Sequence, residues 1–388
     1  MVENEGIFVK ENHPVDLAQI AVMDSQSPDT PSIDRKRTTE MVANLLTRGE
    51  AHLENKQFAD ALDCFDLVLC LESKNRQAQL GRNQAYRRII PRWHFEMLND
   101  EKRNAAFERV LTSAITPDTV VFDIGSGTGL LAMMAARAGA KETITCEMVA
   151  PLADLTRDIV ERNGLADRIV TLHKKSTSVV IGNQMTCKAN LLVTETVDCG
   201  LLGEGIVRSI AHAKANLLTD DARIVPCGAT VYAMVVESPR LRNLNSARTA
   251  ARFDVSLINR YATAQYFPVR LAAFDYIPLT DPFEVFYFDF ANGTIVPDQK
   301  TITVRATRDG VGHCIIFWFN MNLDEETSIS NEPGSTTHWE QALQCLEREV
   351  PIRAGETLAI KAEHDCSVIS FKTCEGAGDR GTGKKENG

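Results

Sequence analysis

Residues 120–147 read VVFDIGSGTGLLAMMAARAGAKETITCE, and the fold turns on them. An apolar strand runs into three alternating glycines, Gly125, Gly127 and Gly129. A helical stretch follows, and then a second strand that ends in Glu147. The same alternation continues through a helix, a strand at 169–172 and the buried run ANLLVTE, which ends at Glu195. Strand and helix in alternation predict an α/β chain with a doubly wound, Rossmann-like parallel sheet. Ligands of such sheets bind at the carboxyl ends of the strands, so Asp123, Gly125, Gly127, Glu147 and Glu195 are expected to share a cleft. Dinucleotide turns follow GxGxxG, whereas here the sixth position is Leu130. Asp123 would gain nothing beside a phosphate, but it suits a ligand with a cationic amino-acid end. Glu147 suits ribose hydroxyls. Together these features favour S-adenosylmethionine, with a nicotinamide or nucleotide ligand as the alternative.

On either side the character changes. Residues 1–36 mix acids with Pro and Ser and read as a flexible lead-in. Residues 37–85 are helical, with Gly49, Ala61 and Phe65 at the small–small–aromatic spacing of a tetratricopeptide unit. One such unit cannot bury its face alone, so it is expected to dock on the next domain or on a partner. A helical run from about His94 to Ser113 then opens the segment that holds the sheet, 86–225. From 226 to 375 come alternating strands without regular helices between them, which predicts an antiparallel β-barrel domain. Residues 240–265 interrupt it with material read as helical, and 376–388 read as a disordered tail.

A net charge of -10 argues against direct nucleic-acid or acidic-membrane binding and suits a basic or small partner. The ten cysteines include no CxxC pair and no zinc-ligand spacing, so no metal is expected and free thiols in a reducing compartment are. No signal peptide or membrane span is legible, which points to a cytoplasmic protein and leaves nuclear entry open.

The stretch TETVDCGLLGEGIV, 194–207, holds Glu195 and Glu204 nine positions apart in small and apolar company, with Asp198 between them. Carboxylates in such surroundings need a cation, because desolvating them unpaired is costly.

PRWHFEMLNDEKR, VFDIGSGTG, TCE, TETVDCGLLGEG and THWEQAL occur in that order. In this the chain resembles the protein arginine N-methyltransferases over about residues 86–370, most of all members 9 and 7 of that family. The resemblance implies that His94, Met97 and Arg103 fold over the cofactor, Arg103 on its carboxylate. Asp123, Gly125 and Gly127 would line its methionine end, Glu147 the ribose, and Thr177 the adenine side, where relatives often carry an acid. It further implies that Glu195 and Glu204 hold a substrate arginine. Glu204 would be the proton acceptor, and His338 a support or relay for it. Trp339 would wall the channel, and Asp198 would favour basic flanking residues. The expected products are monomethylarginine and then symmetric dimethylarginine in protein substrates. Members 7 and 9 carry a second module where this chain shows one, so a homodimer formed through residues 240–265 is expected. Two other functions compete: an idle cofactor-binding scaffold, and a small-molecule methyltransferase.

Overall fold

The structure, a computed structural model, describes residues 31–374, so most of the lead-in and the tail lie outside the described residues. The chain divides after Arg88 into two compact units. In the first, α1 (Pro31–Glu54), α2 (Phe58–Leu71) and α3 (Arg76–Ile89) enclose a small core of Val42, Leu45, Leu46, Ala61, Phe65, Val68 and Ala78. Phe65 is fully buried, and a Cβ on either Gly49 or Gly81 would lie within 2.7 Å of its ring. The expected pair Gly49 and Phe65 therefore meet, and Gly81 on the third helix completes the notch.

The second unit opens with α4 (Trp93–Leu98) and α5 (Glu101–Ala114). The sequence suggested one continuous run here. Asp100 breaks it by accepting a hydrogen bond from the Arg103 amide at 3.0 Å, which caps α5. Next come β1 (Val120–Ile124), α6 (Leu130–Arg137), β2 (Glu142–Glu147), α7 (Ala150–Arg162), β3 (Ile169–His173), β4 (Ala189–Thr194), α8 (Ile206–Asn216) and β5 (Leu218–Val225). The strands form one parallel sheet in the order β3-β2-β1-β4-β5. Every residue of β1 is buried, as a central parallel strand covered on both faces requires. The order steps outward from β1 in both directions, so the ends of β1 and β4 flank the crevice where ligands bind.

The remainder is an antiparallel β domain. It comprises β6 (Gly228–Glu237), the short helix α9 (Pro239–Arg242), β7 (Thr249–Ala250), β8 (Phe253–Asp254), β9 (Phe267–Val269), β10 (Ile277–Pro278), β11 (Phe283–Asp289), β12 (Asp298–Arg305), β13 (Gly310–Asn322), β14 (Ser328–Ser330), β15 (Gln341–Ile352), β16 (Thr357–His364) and β17 (Ile369–Thr373). Its main sheet runs β10-β6-β13-β15-β9, and a second runs β12-β16-β17.

Residues 240–265 depart from the helical expectation. After α9 they form a hairpin, β7–β8, and a two-turn 3-10 stretch over Ser256–Tyr261. Ala251 and Arg252, between the two strands, both have positive φ, as a two-residue hairpin turn demands. Phe253, Leu257, Ile258 and Tyr261 are exposed, so no apolar face is buried that would hold an α-helix in place.

Candidate functional site

The carboxyl ends of β1, β2 and β4 supply the first part of the site. The glycine turn after β1 is held by the Gly125 and Ser126 amides, which donate to the Cys146 carbonyl at 3.0 and 3.1 Å. Gly125 sits at φ 86°, and a Cβ there would meet the Thr196 methyl at 2.7 Å. Gly127 has open space where a Cβ would be. Asp123 is buried. Its Oδ2 accepts from the Thr145 hydroxyl at 2.7 Å, while its Oδ1 has no hydrogen-bond partner. Burial, opposed by the Thr145 bond and reinforced by Glu147, pushes its carboxyl up to about 7. Glu147, at the end of β2, accepts from the Gly127 amide at 3.2 Å and the Val149 amide at 2.9 Å. Thr177 lies half-buried in a short 3-10 turn after β3.

The loop between β4 and α8 supplies the second part. The Glu195 side chain is 5% exposed and pairs with Arg103, itself buried at the start of α5. Arg103 Nε donates to Glu195 Oε2 at 3.1 Å and Nη2 donates to the same oxygen, so Oε1 takes no part in the pair. Burial still holds the Glu195 carboxyl above its ordinary range, against the pull of Arg103. Glu204 is exposed at the far end of the loop. Water is nonetheless thinned around its carboxylate by the surrounding protein, and with Glu195 and Asp198 nearby this pushes it up to about 7.

Asp198 is partly buried and already bonded within the loop. Its Oδ1 accepts from the Gly200 and Gly203 amides at 3.2 and 2.9 Å, and its Oδ2 from the Tyr266 hydroxyl at 2.7 Å. Its charge thus helps to shape the loop. Trp339, expected as a channel wall, packs between the β domain and this loop. It is buried, packs edge-on against Phe319 at 5.4 Å, and donates from its indole N–H to the Val197 carbonyl at 3.2 Å. Asn331, fully buried, donates to the Cys199 carbonyl at 3.1 Å and the Glu340 carbonyl at 2.8 Å, and accepts from the Phe319 amide at 2.8 Å. The loop is therefore clamped from the β domain by Tyr266, Trp339 and Asn331.

Asp100 joins the two parts. One oxygen caps α5; the other accepts from the His338 amide at 2.8 Å and meets His338 Nδ1 at 3.0 Å. Although desolvation raises the Asp100 carboxyl, the Arg103 and His338 bonds outweigh it and hold it below its usual value. Burial lowers His338 to about 4 against the opposing Asp100 bond, so its imidazole is neutral near pH 7. With Asp100 accepting at Nδ1, the lone pair lies on Nε2. His94 and Met97 lie half-buried on α4, where His94 stacks on Trp93 at 3.8 Å and burial lowers its pKa. An exposed ion pair, Glu96 to Arg270 at 2.8 Å, ties α4 to the β domain.

Sequence reasoning missed Asp100, Tyr266 and Asn331. An acid immediately before a helix was the available signal for Asp100. Tyr266 and Asn331 act across the fold and leave no local signal.

Comparison with known proteins places this geometry. Residues 228–373 match the family described as "Arginine methyltransferase oligomerization subdomain", and 107–220 match "Ribosomal protein L11 methyltransferase (PrmA)". An "Arginine N(omega)-methyltransferase" of Streptomyces achromogenes subsp. streptozoticus is 40% identical over 279 residues, 72% of this chain and 77% of that protein. The chain belongs to the arginine methyltransferase family. "Protein arginine N-methyltransferase 9" of Mus musculus is 32% identical over 72% of this chain and 37% of its own length. "Protein arginine N-methyltransferase 7" of Drosophila yakuba is 30% identical over 81% and 53%. The expected affinity to members 9 and 7 thus gives way to a higher identity with the bacterial enzyme, and the chain spans about half or less of those longer relatives. The solved "Trypanosoma brucei PRMT1 enzyme-prozyme heterotetrameric complex with AdoHcy" shares the fold, with a TM-score of 0.61, 23% identity, and coverage of 70% of this chain and 86% of that one.

This arginine methyltransferase is an S-adenosylmethionine-dependent enzyme, and the residues present fit that group. The partnerless Oδ1 of Asp123 calls for a buried donor, and the open space at Gly127 admits a ligand against the backbone. Among the described residues no group of three His, Cys, Asp or Glu could hold a metal ion, and no helix is long and apolar enough to cross a membrane.

Proposed function

We propose that the enzyme methylates the ω-nitrogen of arginine in protein substrates. The observation that carries this reading is the pair of glutamates. Glu195 is fixed by Arg103 with Oε1 left over, and Glu204 stands open to solvent at the other end of the same clamped loop. A guanidinium stays protonated and offers donors in a planar fork, so two such carboxylates can hold and orient it. S-adenosylmethionine supplies an electrophilic methyl group when bound. Asp123 Oδ1 would receive its ammonium, Glu147 its ribose, and Arg103 its carboxylate, with His94, Met97 and Thr177 bordering it. Glu204, with a proton affinity near neutrality, takes the proton that the guanidinium must lose. Asp100 fixes the orientation of His338, whose Nε2 lone pair can accept a bond from Glu204 once that carboxylate has taken up the proton, and so relay it. Monomethylarginine is the first product and symmetric dimethylarginine the second.

A second reading is methylation of free arginine or a related small guanidine. It is favoured by the bacterial relative, whose name specifies arginine and not protein arginine. Labelled cofactor offered with arginine-rich proteins and with free arginine separates the two. Transfer to free arginine alone overturns the protein reading. In either case Glu195→Gln and Glu204→Gln should each lower kcat by about 10²–10³-fold, the scale of losing a preorganised charged contact. Retained turnover in both variants overturns the glutamate mechanism.

We further propose a homodimer formed through residues 240–265. Phe253, Leu257, Ile258 and Tyr261 are exposed there, within the segment matching the oligomerization subdomain. A monomeric mass in sedimentation at micromolar concentration overturns it. The helical unit around Phe65 is read as a tetratricopeptide-type site for a protein partner, and the enzyme as cytoplasmic.

A further inference from the structure

Away from the methyl-transfer site, the β domain brings two thiols together. Cys314 on β13 and Cys345 on β15 are directly opposed in the antiparallel register, with their Sγ atoms 3.7 Å apart. Facing residues of an antiparallel pair have Cα atoms about 4.5–5.5 Å apart. A disulfide spans about 4.4–6.8 Å, so the bond can form by side-chain rotation without moving either strand.

The two thiols are unequal. Cys314 is fully buried, among Met234, Val236, Ile316 and Leu343. Cys345 is partly open and lines a cavity of 1620 Å³ together with Arg242 and Asn245. The Cys314 thiol donates to Cys345 Sγ, and Arg242 adds its charge, which holds Cys345 below the ordinary thiol range despite its partial burial. The same bond, with burial, pushes Cys314 up. An accessible thiol that ionises readily thus sits against a buried one that does not, the arrangement of an attacking and a resolving cysteine.

We propose that Cys314 and Cys345 form a reversible redox site that reacts with hydroperoxides, Cys345 attacking and Cys314 resolving. The Cys345 thiolate attacks one peroxide oxygen, and the O–O bond breaks. The departing oxygen takes up a proton and leaves as water, or as an alcohol from an organic peroxide, while Cys345 becomes a sulfenic acid. Cys314 sulfur then attacks the Cys345 sulfur and the S–O bond breaks. The thiol proton leaves with the hydroxyl as water, and a disulfide joins β13 to β15. Two thiols are oxidised and one peroxide is reduced, and an added dithiol reverses the change by exchange. Arg242, which faces Cys345 across the cavity edge, also donates to the Leu346 carbonyl at 3.0 Å, so the site lies at the root of residues 240–265. The inference stands apart from the methylation reading.

The test treats the full chain with hydrogen peroxide, then alkylates it under denaturing conditions and maps the thiols by mass spectrometry. The expected result is a Cys314–Cys345 linked peptide, loss of both alkylatable thiols, and their return on adding dithiothreitol. Cys345→Ser should leave Cys314 reduced at the same dose, and Cys314→Ser should leave a sulfenic acid on Cys345 that dimedone traps. Oxidation confined to the exposed Cys70, Cys187 and Cys374 overturns the proposal. So does passage of Cys345 directly to the sulfinic acid with Cys314 still reduced. Should Cys314→Ser fail to fold, a trivalent arsenical that bridges two adjacent thiols gives a second measurement. Binding to the wild type that is lost in Cys345→Ser supports the site, and no binding to the wild type overturns it.

Discussion

The turn at 123–129 and the loop at 194–205 both end parallel strands of one sheet, yet they are built differently. The turn is local: its glycine backbone bonds to the neighbouring strand end, and Asp123 and Glu147 are held by groups within about a turn of the sheet edge. The loop is held from afar. Asn331, Trp339 and Tyr266, all in the β domain, fix its backbone and its internal acid. The turn proposed to meet the cofactor is thus a cradle of short range. Glu195 and Glu204, proposed to meet the substrate, ride on a segment whose shape the β domain controls.

Three measurements can break or sharpen that contrast. Asn331→Ala strips partners from the buried Cys199 and Glu340 carbonyls and the Phe319 amide. At about 1–3 kcal/mol for each buried group left unsatisfied, a loss of about 3 kcal/mol or more is expected in denaturant unfolding. Methyl transfer should fall with cofactor affinity kept. Equal loss of cofactor binding would mean the loop is no separate unit. Gly125→Ala should act the other way round. Its φ of 86° and the 2.7 Å approach to Thr196 predict about 1–3 kcal/mol of strain and weakened cofactor binding by calorimetry. Unchanged binding would show the turn to be less rigid than described.

The smallest effect is in pH. Asp123 and Glu204 both titrate near 7 in the folded protein, above the ordinary carboxylate values of about 4. In their proposed roles both must ionise to receive cations, so kcat/KM should rise through about pH 7 and level off above it. Between about pH 4 and 7 each of these two carboxyls keeps its proton in the ligand-free native state and has lost it in the unfolded chain, so the stability they contribute should fall as pH rises, against the opposite contribution of the buried neutral His338. Asp123→Asn should flatten that slope in a Tm series, and saturating cofactor should flatten it in the wild type. A slope unaltered by either would assign the titration elsewhere.

The sequence made the sheet legible because a glycine turn with apolar strands on both sides is set by neighbours in the chain. It likewise placed Asp123, Glu147 and Glu195 at strand ends. It did not foresee the partners of Asp198 and Trp339, since nothing in 194–207 announces that the Tyr266 hydroxyl or the Trp339 indole will reach this loop. The segment 240–265 was misread for a related reason: its polar–apolar spacing suits a helix, but no surface within the described unit covers the apolar side.

One carboxylate, Asp100, takes a bond from residue 103 through one oxygen and two from residue 338 through the other, a separation of 238 positions along the chain. Contacts that distant form late, after much of the intervening chain is ordered. A chain still emerging from the ribosome can therefore build the sheet and its glycine turn but cannot yet seat His338. The joint between Asp100 and His338 is thus finished after the sheet, so a product cut short before residue 338 would hold the glycine turn and lack the partner of Asp100.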